Sequence, residues 1–132
     1  MWKYKYNSPI EAIVSLEIAY TNNDLDAVLD SKDFKTEAIL VLKEAAFNYD
    51  INDKDIVSET AKLLELSLIQ SLKENGYPSF KNVEREFSEL KMISGNVYFI
   101  EEKLFFPNKV NYANKIFLSF NYPFWKVAMI EE

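Results

Sequence analysis

The sequence predicts a single α+β domain in which N-terminal helices pack on a curved antiparallel sheet of four strands. Two observations predict this fold class. Capped stretches with helical apolar periodicity extend as far as Gly76, and aromatic and β-branched alternation, broken by turn residues, follows Pro78. No internal repeat, linker or low-complexity stretch divides the 132 residues, so we expect one domain over residues 1–132.

The first helix has the clearest start signal. Ser8-Pro9-Ile10-Glu11 combines a serine N-cap, a proline at the first helical position and a glutamate at the third. The helix is predicted to run to about Tyr20 and to stop at Thr21-Asn22-Asn23.

Three further helices are predicted from the same kinds of signal. Asn22 or Asn23 is expected to cap a short helix over Asp24–Leu29, and Asp33 is expected to cap a third helix over Phe34–Phe47. After a polar, acidic loop from Asn48 to Asp55, leucines at helical spacing predict the longest helix. Gly76 suits its C-terminal end, and Pro78 blocks continuation.

The remainder of the chain predicts four strands joined by short connections. They are expected at Val83–Met92, Val97–Phe106, Tyr112–Phe120 and Phe124–Ile130. Connections this short favour an antiparallel meander. Alternation places Ile100 and Leu104, and in the next strand Ile116 and Leu118, on one strongly apolar face.

The first 30 residues carry a family resemblance. The run from Ser8 to Ile13, followed by Tyr20-Thr21-Asn22-Asn23-Asp24-Leu25-Asp26-Ala27-Val28-Leu29, resembles the start of the nuclear transport factor 2-like superfamily, also called SnoaL-like. The resemblance implies a cone-like, cystatin-like roll. It says little about activity, because the superfamily includes isomerases, dehydratases, cyclases, transport adaptors and immunity proteins.

The resemblance also bears on enzymatic activity. In ketosteroid isomerase-like members, the tyrosine oxyanion donor and the general-base aspartate align with Leu16 and, without gaps, with Leu40. Both residues are apolar, so we expect no enzyme activity. An acidic chain with an extra helical stretch after the short helix looks most like the immunity proteins of this fold, which bind and neutralise a cognate bacterial toxin.

Composition excludes several classes of function. The chain has no cysteine and no histidine, which removes thiolate nucleophiles, histidine-based triads and histidine metal centres. The net charge is −6 and Arg85 is the only arginine, so nucleic acid is not an expected partner. No signal peptide is seen and no apolar run reaches the roughly 20 residues of a membrane span. We expect a cytoplasmic protein without a membrane partner, metal or cofactor.

Glu102 is the strongest candidate for a pocket residue. It is the charged residue on the apolar face of the second predicted strand, between Ile100 and Leu104. Desolvation would raise its pKa and allow acid or base chemistry. The alternative is a position at the rim or a pair with a lysine. If the cone binds a small molecule or acts as an isomerase, cyclase or dehydratase, Tyr98 and Tyr112 are the other expected polar groups.

Acidic side chains are the candidates for contacting a basic toxin. They comprise Asp24, Asp26, Asp30, Asp33, Asp50, Asp53, Asp55, Glu84, Glu86 and Glu101. They could speed encounter by electrostatic steering, or serve as helix caps and solvated charge pairs. Asp50, Asp53 and Asp55 suggest a calcium loop only superficially, because the required glycine and final glutamate are missing.

Aromatic residues exceed what one face of the sheet needs. Phe99, Phe105 and Phe117 are predicted to face away from the helices. They could form a second apolar surface for a homodimer or another partner, or be covered by Trp2, Tyr4 and Tyr6.

Overall fold

The computed structural model describes residues 4–45 and 52–132, which form helices followed by strands. The elements are α1 (Pro9–Thr21), α2 (Leu25–Ser31), α3 (Phe34–Glu44), α4 (Lys54–Asn75), β1 (Glu84–Phe87), β2 (Lys91–Ser94), β3 (Val97–Phe105), β4 (Asn111–Asn121) and β5 (Phe124–Glu131). The α+β class and the order of elements are as predicted. Asp50 and Trp2 lie outside the described residues.

The start of α1 follows the predicted capping pattern, but the predicted cap of α2 is wrong. Ser8 Oγ accepts a hydrogen bond from the Glu11 amide at 3.1 Å. At α2 the cap is Asp24, whose carboxylate accepts from the Ala27 amide at 3.1 Å. The two asparagines before it form the turn instead, and Asn23 has a left-handed φ of 55°, which asparagine tolerates well.

Side chains also fix the bounds of α3 and α4. Asp33 caps α3 as predicted, but the predicted end at Phe47 is wrong, because the helix ends at Glu44 and its C-cap Ala45 has an extended backbone. The α4 helix begins within the predicted loop because the Asp53 carboxylate accepts from the amides of Asp55 and Ile56. Gly76 ends α4 with a φ of 81°, as its position in the sequence predicts.

The sheet is antiparallel in the order β1-β3-β4-β5, and β2 also pairs with β3. The single strand predicted over Val83–Met92 is therefore divided into β1 and β2. Ser88 marks the break, because its Oγ, in place of a backbone carbonyl, accepts from the Glu101 amide at 2.8 Å. The sheet consequently has five described strands where four were predicted.

The main core lies between α1, α2 and the end of α4 on one side and the inward face of the sheet on the other. Its fully buried large members are Ile13, Leu16, Val28, Ile100, Ile116, Leu118 and Val127. The predicted faces of β3 and β4 are confirmed, since Ile100 pairs with Ile116 in this core. Burial of this apolar surface is the main source of stability.

The outer face of the sheet is partly covered by α3. Phe99 and Phe117 face outward as predicted, and Leu40 and Val41 of α3 pack on the cluster that contains Phe117 and Met129. The alternative that N-terminal aromatic residues cover this face is wrong for the described ones. Tyr4 and Tyr6 pack on the inward core instead.

Asp33 joins two elements through its carboxylate. Besides capping α3 through the Thr36 amide at 3.0 Å, it accepts from Ser119 Oγ at 2.6 Å and Asn121 Nδ2 at 3.2 Å. Burial would raise the pKa of Asp33, but hydrogen bonds from Ser119, Thr36 and Asn121 outweigh burial and hold the pKa below its usual value. This residue is therefore a structural tie between α3 and β4.

We expect Asp33→Ala to lower the free energy of unfolding by about 2 kcal/mol at pH 7, because the cap and the hydrogen bonds from Ser119 and Asn121 are lost together. The stabilising contribution of Asp33 is complete above its unfolded pKa of 3.8 and is lost as pH falls through the lower folded value. Urea denaturation at pH 7 and pH 3 measures both effects. Asp26→Ala, at an exposed position in the first turn of α2, is the control and should change stability by less than about 0.5 kcal/mol.

Candidate functional site

A cavity of about 330 Å³ lies between the helices and the inward face of the sheet. Its walls are mainly apolar side chains from α1, α4, β4 and β5, namely Ile13, Leu16, Leu68, Leu72, Ile116 and Val127. Exposed Ser71, Gly76 and Pro78 also line it, so it opens to solvent beside the C-terminal end of α4. The cavity is large enough for a small organic molecule.

Glu102 lines this cavity from β3 and is only 1% exposed. Its position follows from strand alternation, since Ile100 and Leu104 on either side face the same core. Asn114, its neighbour in the β3–β4 register, donates to Glu102 Oε1 at 3.4 Å. Glu102 Oε2 is buried without a hydrogen-bond donor among the described residues. One acceptor atom of the site is therefore unsatisfied whenever Glu102 is ionised.

Glu17 and Arg85 complete a polar cluster around Glu102. Glu17 lies on the inward side of α1, is 5% exposed and also lines the cavity. Arg85 lies on β1, and its Nε donates to Glu17 Oε1 at 2.5 Å. The cluster thus holds two carboxyl groups and one guanidinium group in a largely apolar interior.

This arrangement favours a neutral Glu102. Burial, together with the hydrogen bond and the negative charge of Glu17, raises the pKa of Glu102 to about 9, against smaller opposing effects of Asn114 and Arg85. At pH 7 Glu102 therefore keeps its proton. The pair can release this proton or exchange it for another cation.

Comparison with solved structures identifies the fold. A protein from Campylobacter jejuni, described as an NTF2-like transpeptidase, superposes with a TM-score of 0.51 over 92% of this chain and 99% of its own, at 19% identity. The chain has a nuclear transport factor 2-like fold. A phospholipid-binding protein from Ralstonia solanacearum, solved with a phospholipid, gives a TM-score of 0.59 over 96% of this chain and 77% of its own, at 11% identity. No protein-family model and no curated protein matches the sequence.

The nuclear transport factor 2-like fold does not bring the three predicted pocket residues together. Tyr98 packs edge-on against Trp125, with ring centroids 5.0 Å apart, and does not line the cavity. Tyr112 is 48% exposed and lines a neighbouring cavity of about 420 Å³. Only Glu102 of the three faces the cavity between the helices and the sheet.

Sequence reasoning missed Glu17 and Arg85 as partners of Glu102. A signal for Glu17 exists, because it follows Ile13 and Leu16 at the spacing of the buried stripe of α1. A weaker signal exists for Arg85, because in a strand it lies on the same face as Val83 and Phe87. The alternative that Glu102 pairs with a lysine or lies at the rim is wrong, since it is buried beside Glu17, Arg85 and Asn114.

The predicted acidic contact residues fall into two groups. Asp24, Asp33 and Asp53 cap helices, so their carboxylates have structural roles. The others that the structure describes are exposed, namely Asp26, Asp30, Asp55, Glu84, Glu86 and Glu101. On the sheet, Glu86 lies opposite Lys103 and Glu101 lies opposite Lys115, so these acids have basic neighbours.

An exposed sheet edge forms a second candidate surface. No described strand pairs with the free side of β2. Its Met92 and Ile93 are 65% and 45% exposed, and Leu90 just before it is 37% exposed. We call Leu90, Met92, Ile93 and the exposed acids Glu84, Glu86 and Glu89 the β1–β2 edge.

Two further observations concern metal binding and membrane insertion. Across residues 4–45 and 52–132, no group of three or more acidic side chains is arranged to hold a metal ion. None of the described helices is both long and apolar enough to cross a membrane.

Proposed function

We propose that this protein is a cytoplasmic immunity protein that binds a cognate bacterial toxin domain and neutralises it without catalysing a reaction. The observation that carries the proposal is the β1–β2 edge, along which both apolar and acidic side chains are exposed. A protein-binding surface has this composition when an apolar centre is surrounded by a charged rim.

The apolar part of the edge can supply binding affinity. Met92 and Ile93 lie on adjacent positions of a strand whose free side offers unpaired backbone groups. Natural proteins usually protect such an edge with charges, prolines or a covering segment. An uncovered edge with apolar side chains therefore supports a role in contacting another protein.

The acidic part of the edge specifies the kind of partner. Glu84, Glu86 and Glu89 are exposed, whereas Arg85 between them turns inward to Glu17. Lys91 is the exposed basic residue of this segment, and its ammonium group lies over the Phe99 ring. A basic toxin domain would be attracted to this surface and oriented by it. A second copy of the chain would bring like charges together, which disfavours the homodimer.

The proposed absence of enzyme activity has separate support. Leu16 is buried in the main core, and Leu40 packs on the outer cluster with Phe117, so neither places a polar group in the cavity. The chain also has no histidine or cysteine to act as a base or nucleophile.

The alternative function is binding of a small molecule in the cavity between the helices and the sheet. The specific observation in its favour is Glu102 Oε2, which is buried without a donor beside that cavity. The two similar structures include a phospholipid complex and a protein described as a transpeptidase, and their low identity extends neither activity to this chain. Glu102 is the group we expect to act if the cavity is used.

Purification of a tagged copy from the native cell, followed by mass spectrometry, should identify the toxin domain. Met92→Asp should then weaken the purified complex at least about tenfold by calorimetry, because a charge replaces an apolar contact. Leu63→Asp on α4 is a matched control, since Leu63 is 63% exposed against 65% for Met92, and it should leave affinity unchanged. Co-expression with the toxin should show growth protection that Met92→Asp reduces.

Three results would contradict this proposal. Failure of the chain to protect cells from any toxin that co-purifies would remove the immunity function. Equal effects of Met92→Asp and Leu63→Asp would remove the β1–β2 edge as the contact surface. Recovery of a second copy as the sole stoichiometric partner would replace the toxin with a homodimer.

A further inference from the structure

We propose that the cavity between the helices and the sheet binds a compact apolar amine, whose ammonium group pairs with the buried carboxyl groups of Glu17 and Glu102. This inference does not rest on the toxin-binding proposal, because it concerns the buried side of the sheet. It rests on the charge balance of the cluster, on one unsatisfied oxygen and on the shape and lining of the cavity.

The charge balance requires a cation. Glu17 and Glu102 together carry two negative charges when both are ionised, and Arg85 supplies one positive charge. Two buried carboxylates with a single guanidinium are one cation short, and burial of an unpaired charge is costly. A proton on Glu102 fills this deficit when no ligand is bound. An ammonium group would fill it equally and leave both carboxylates ionised.

The unsatisfied oxygen indicates where the ammonium would lie. Arg85 Nε already donates to Glu17 Oε1, and Asn114 Nδ2 donates to Glu102 Oε1. Glu102 Oε2 has no donor among the described residues and belongs to a side chain that is 99% buried, given its 1% exposure. An ammonium group has three donors and no acceptor, which matches a site that lacks donors.

The cavity walls specify the remainder of the ligand. Apolar side chains from α1, α4, β4 and β5 line most of the 330 Å³, so an aliphatic or aromatic body would be buried there. The opening beside Gly76 and Pro78 gives access from solvent. A metal ion fits less well, because no group of three acidic side chains is available within the described ranges.

Other charged or titratable groups around the cavity must be considered, because the exchange involves a proton. Besides Glu17 and Glu102, the lining contains Tyr20 from α1 and Glu132 after β5, and Arg85 reaches the cluster through Glu17 without lining the cavity. Burial raises the pKa of Tyr20 to about 12, with the charge of Glu37 contributing, so Tyr20 stays neutral. The lining residues of α4 are Leu68, Ser71 and Leu72, which carry no charge. Glu132 is exposed, so Glu102 is the group we expect to titrate on binding.

Benzylamine and hexylamine are suitable probes, with benzyl alcohol as the uncharged comparison. Calorimetry at pH 7 in two buffers of different ionisation enthalpy should show amine binding with release of about one proton, because the amine arrives charged and Glu102 ionises. Benzyl alcohol should bind at least tenfold more weakly than benzylamine.

Two glutamine substitutions separate the site from general charge effects. Glu102→Gln should weaken amine binding at least tenfold and abolish proton release. Glu101→Gln, at the exposed next position of β3, should bind the amine like the original chain. The inference is overturned if neither amine binds, if the alcohol binds as tightly as benzylamine, or if Glu102→Gln retains binding with proton release. These measurements use the purified chain alone, so they are independent of any toxin.

Discussion

Glu102→Gln is expected to stabilise the protein at neutral and alkaline pH and to remove most of the pH dependence of its stability between pH 5 and pH 9. The reason is linkage between folding and protonation. In the unfolded chain the pKa of Glu102 has its ordinary value of 4.5, whereas in the folded protein burial and Glu17 raise the pKa to about 9. Folding therefore takes up a proton between these values.

The sign and size of the effect follow from this uptake. The contribution of Glu102 to stability is complete below pH 4.5 and is lost as pH rises towards the folded value of about 9. One proton corresponds to about 1.4 kcal/mol per pH unit. Glutamine never ionises, so the variant should resemble the original chain near pH 5 and exceed its stability by roughly 4 kcal/mol at pH 8.

Urea denaturation at intervals from pH 5 to pH 9 measures this prediction. The other resolved pKa shifts lie outside this range, since those of Tyr6 and Tyr20 act above pH 10 and that of Asp33 acts below pH 3.8. Glu101→Gln serves as the exposed control and should keep the slope of the original chain. An unchanged slope in Glu102→Gln would show that Glu102 is ionised in the folded protein.

Local sequence signals predicted most of the fold because the relevant interactions span only a few residues. The Ser8 cap, the Asp33 cap and the end of α4 at Gly76 each depend on contacts within one turn. Strand alternation, which also depends only on neighbouring residues, correctly placed Glu102 on the inward face. The break between β1 and β2 escaped prediction because it depends on a contact between Ser88 and Glu101, which are 13 positions apart in the sequence.

The composition of the candidate site could not be predicted in the same way. Glu17 and Arg85 are 68 positions apart in the sequence and meet only because the fold brings α1 and β1 to the same core. Tyr98 failed as a pocket residue although its strand face was right, because Trp125 occupies the space beside its ring. A strand pattern predicts the face of a side chain, but not which neighbours from distant elements cover it.

Arg85→Met is expected to lower the free energy of unfolding by about 3 kcal/mol at pH 7, because it leaves the Glu17 carboxylate without a cation. The side chains of Glu17 and Arg85 are 7% and 21% exposed, so water can replace the lost guanidinium only partly. The same change removes the attraction by which Arg85 lowers the pKa of Glu102, so Glu102 should stay neutral to still higher pH.

A second substitution shows whether the loss comes from an unpaired charge or from lost packing. Adding Glu17→Gln to Arg85→Met removes the uncompensated carboxylate and should recover most of the lost stability. Arg85→Lys should lose less stability than Arg85→Met, because lysine retains a positive charge. Thermal and urea denaturation of Arg85→Met, Glu17→Gln and the double variant complete this double-mutant cycle. If the double variant is as unstable as the sum of the single changes, the pair is not coupled. Arg85 would then stabilise the protein through the packing of its aliphatic stem, and the charge balance of the cluster would have another origin.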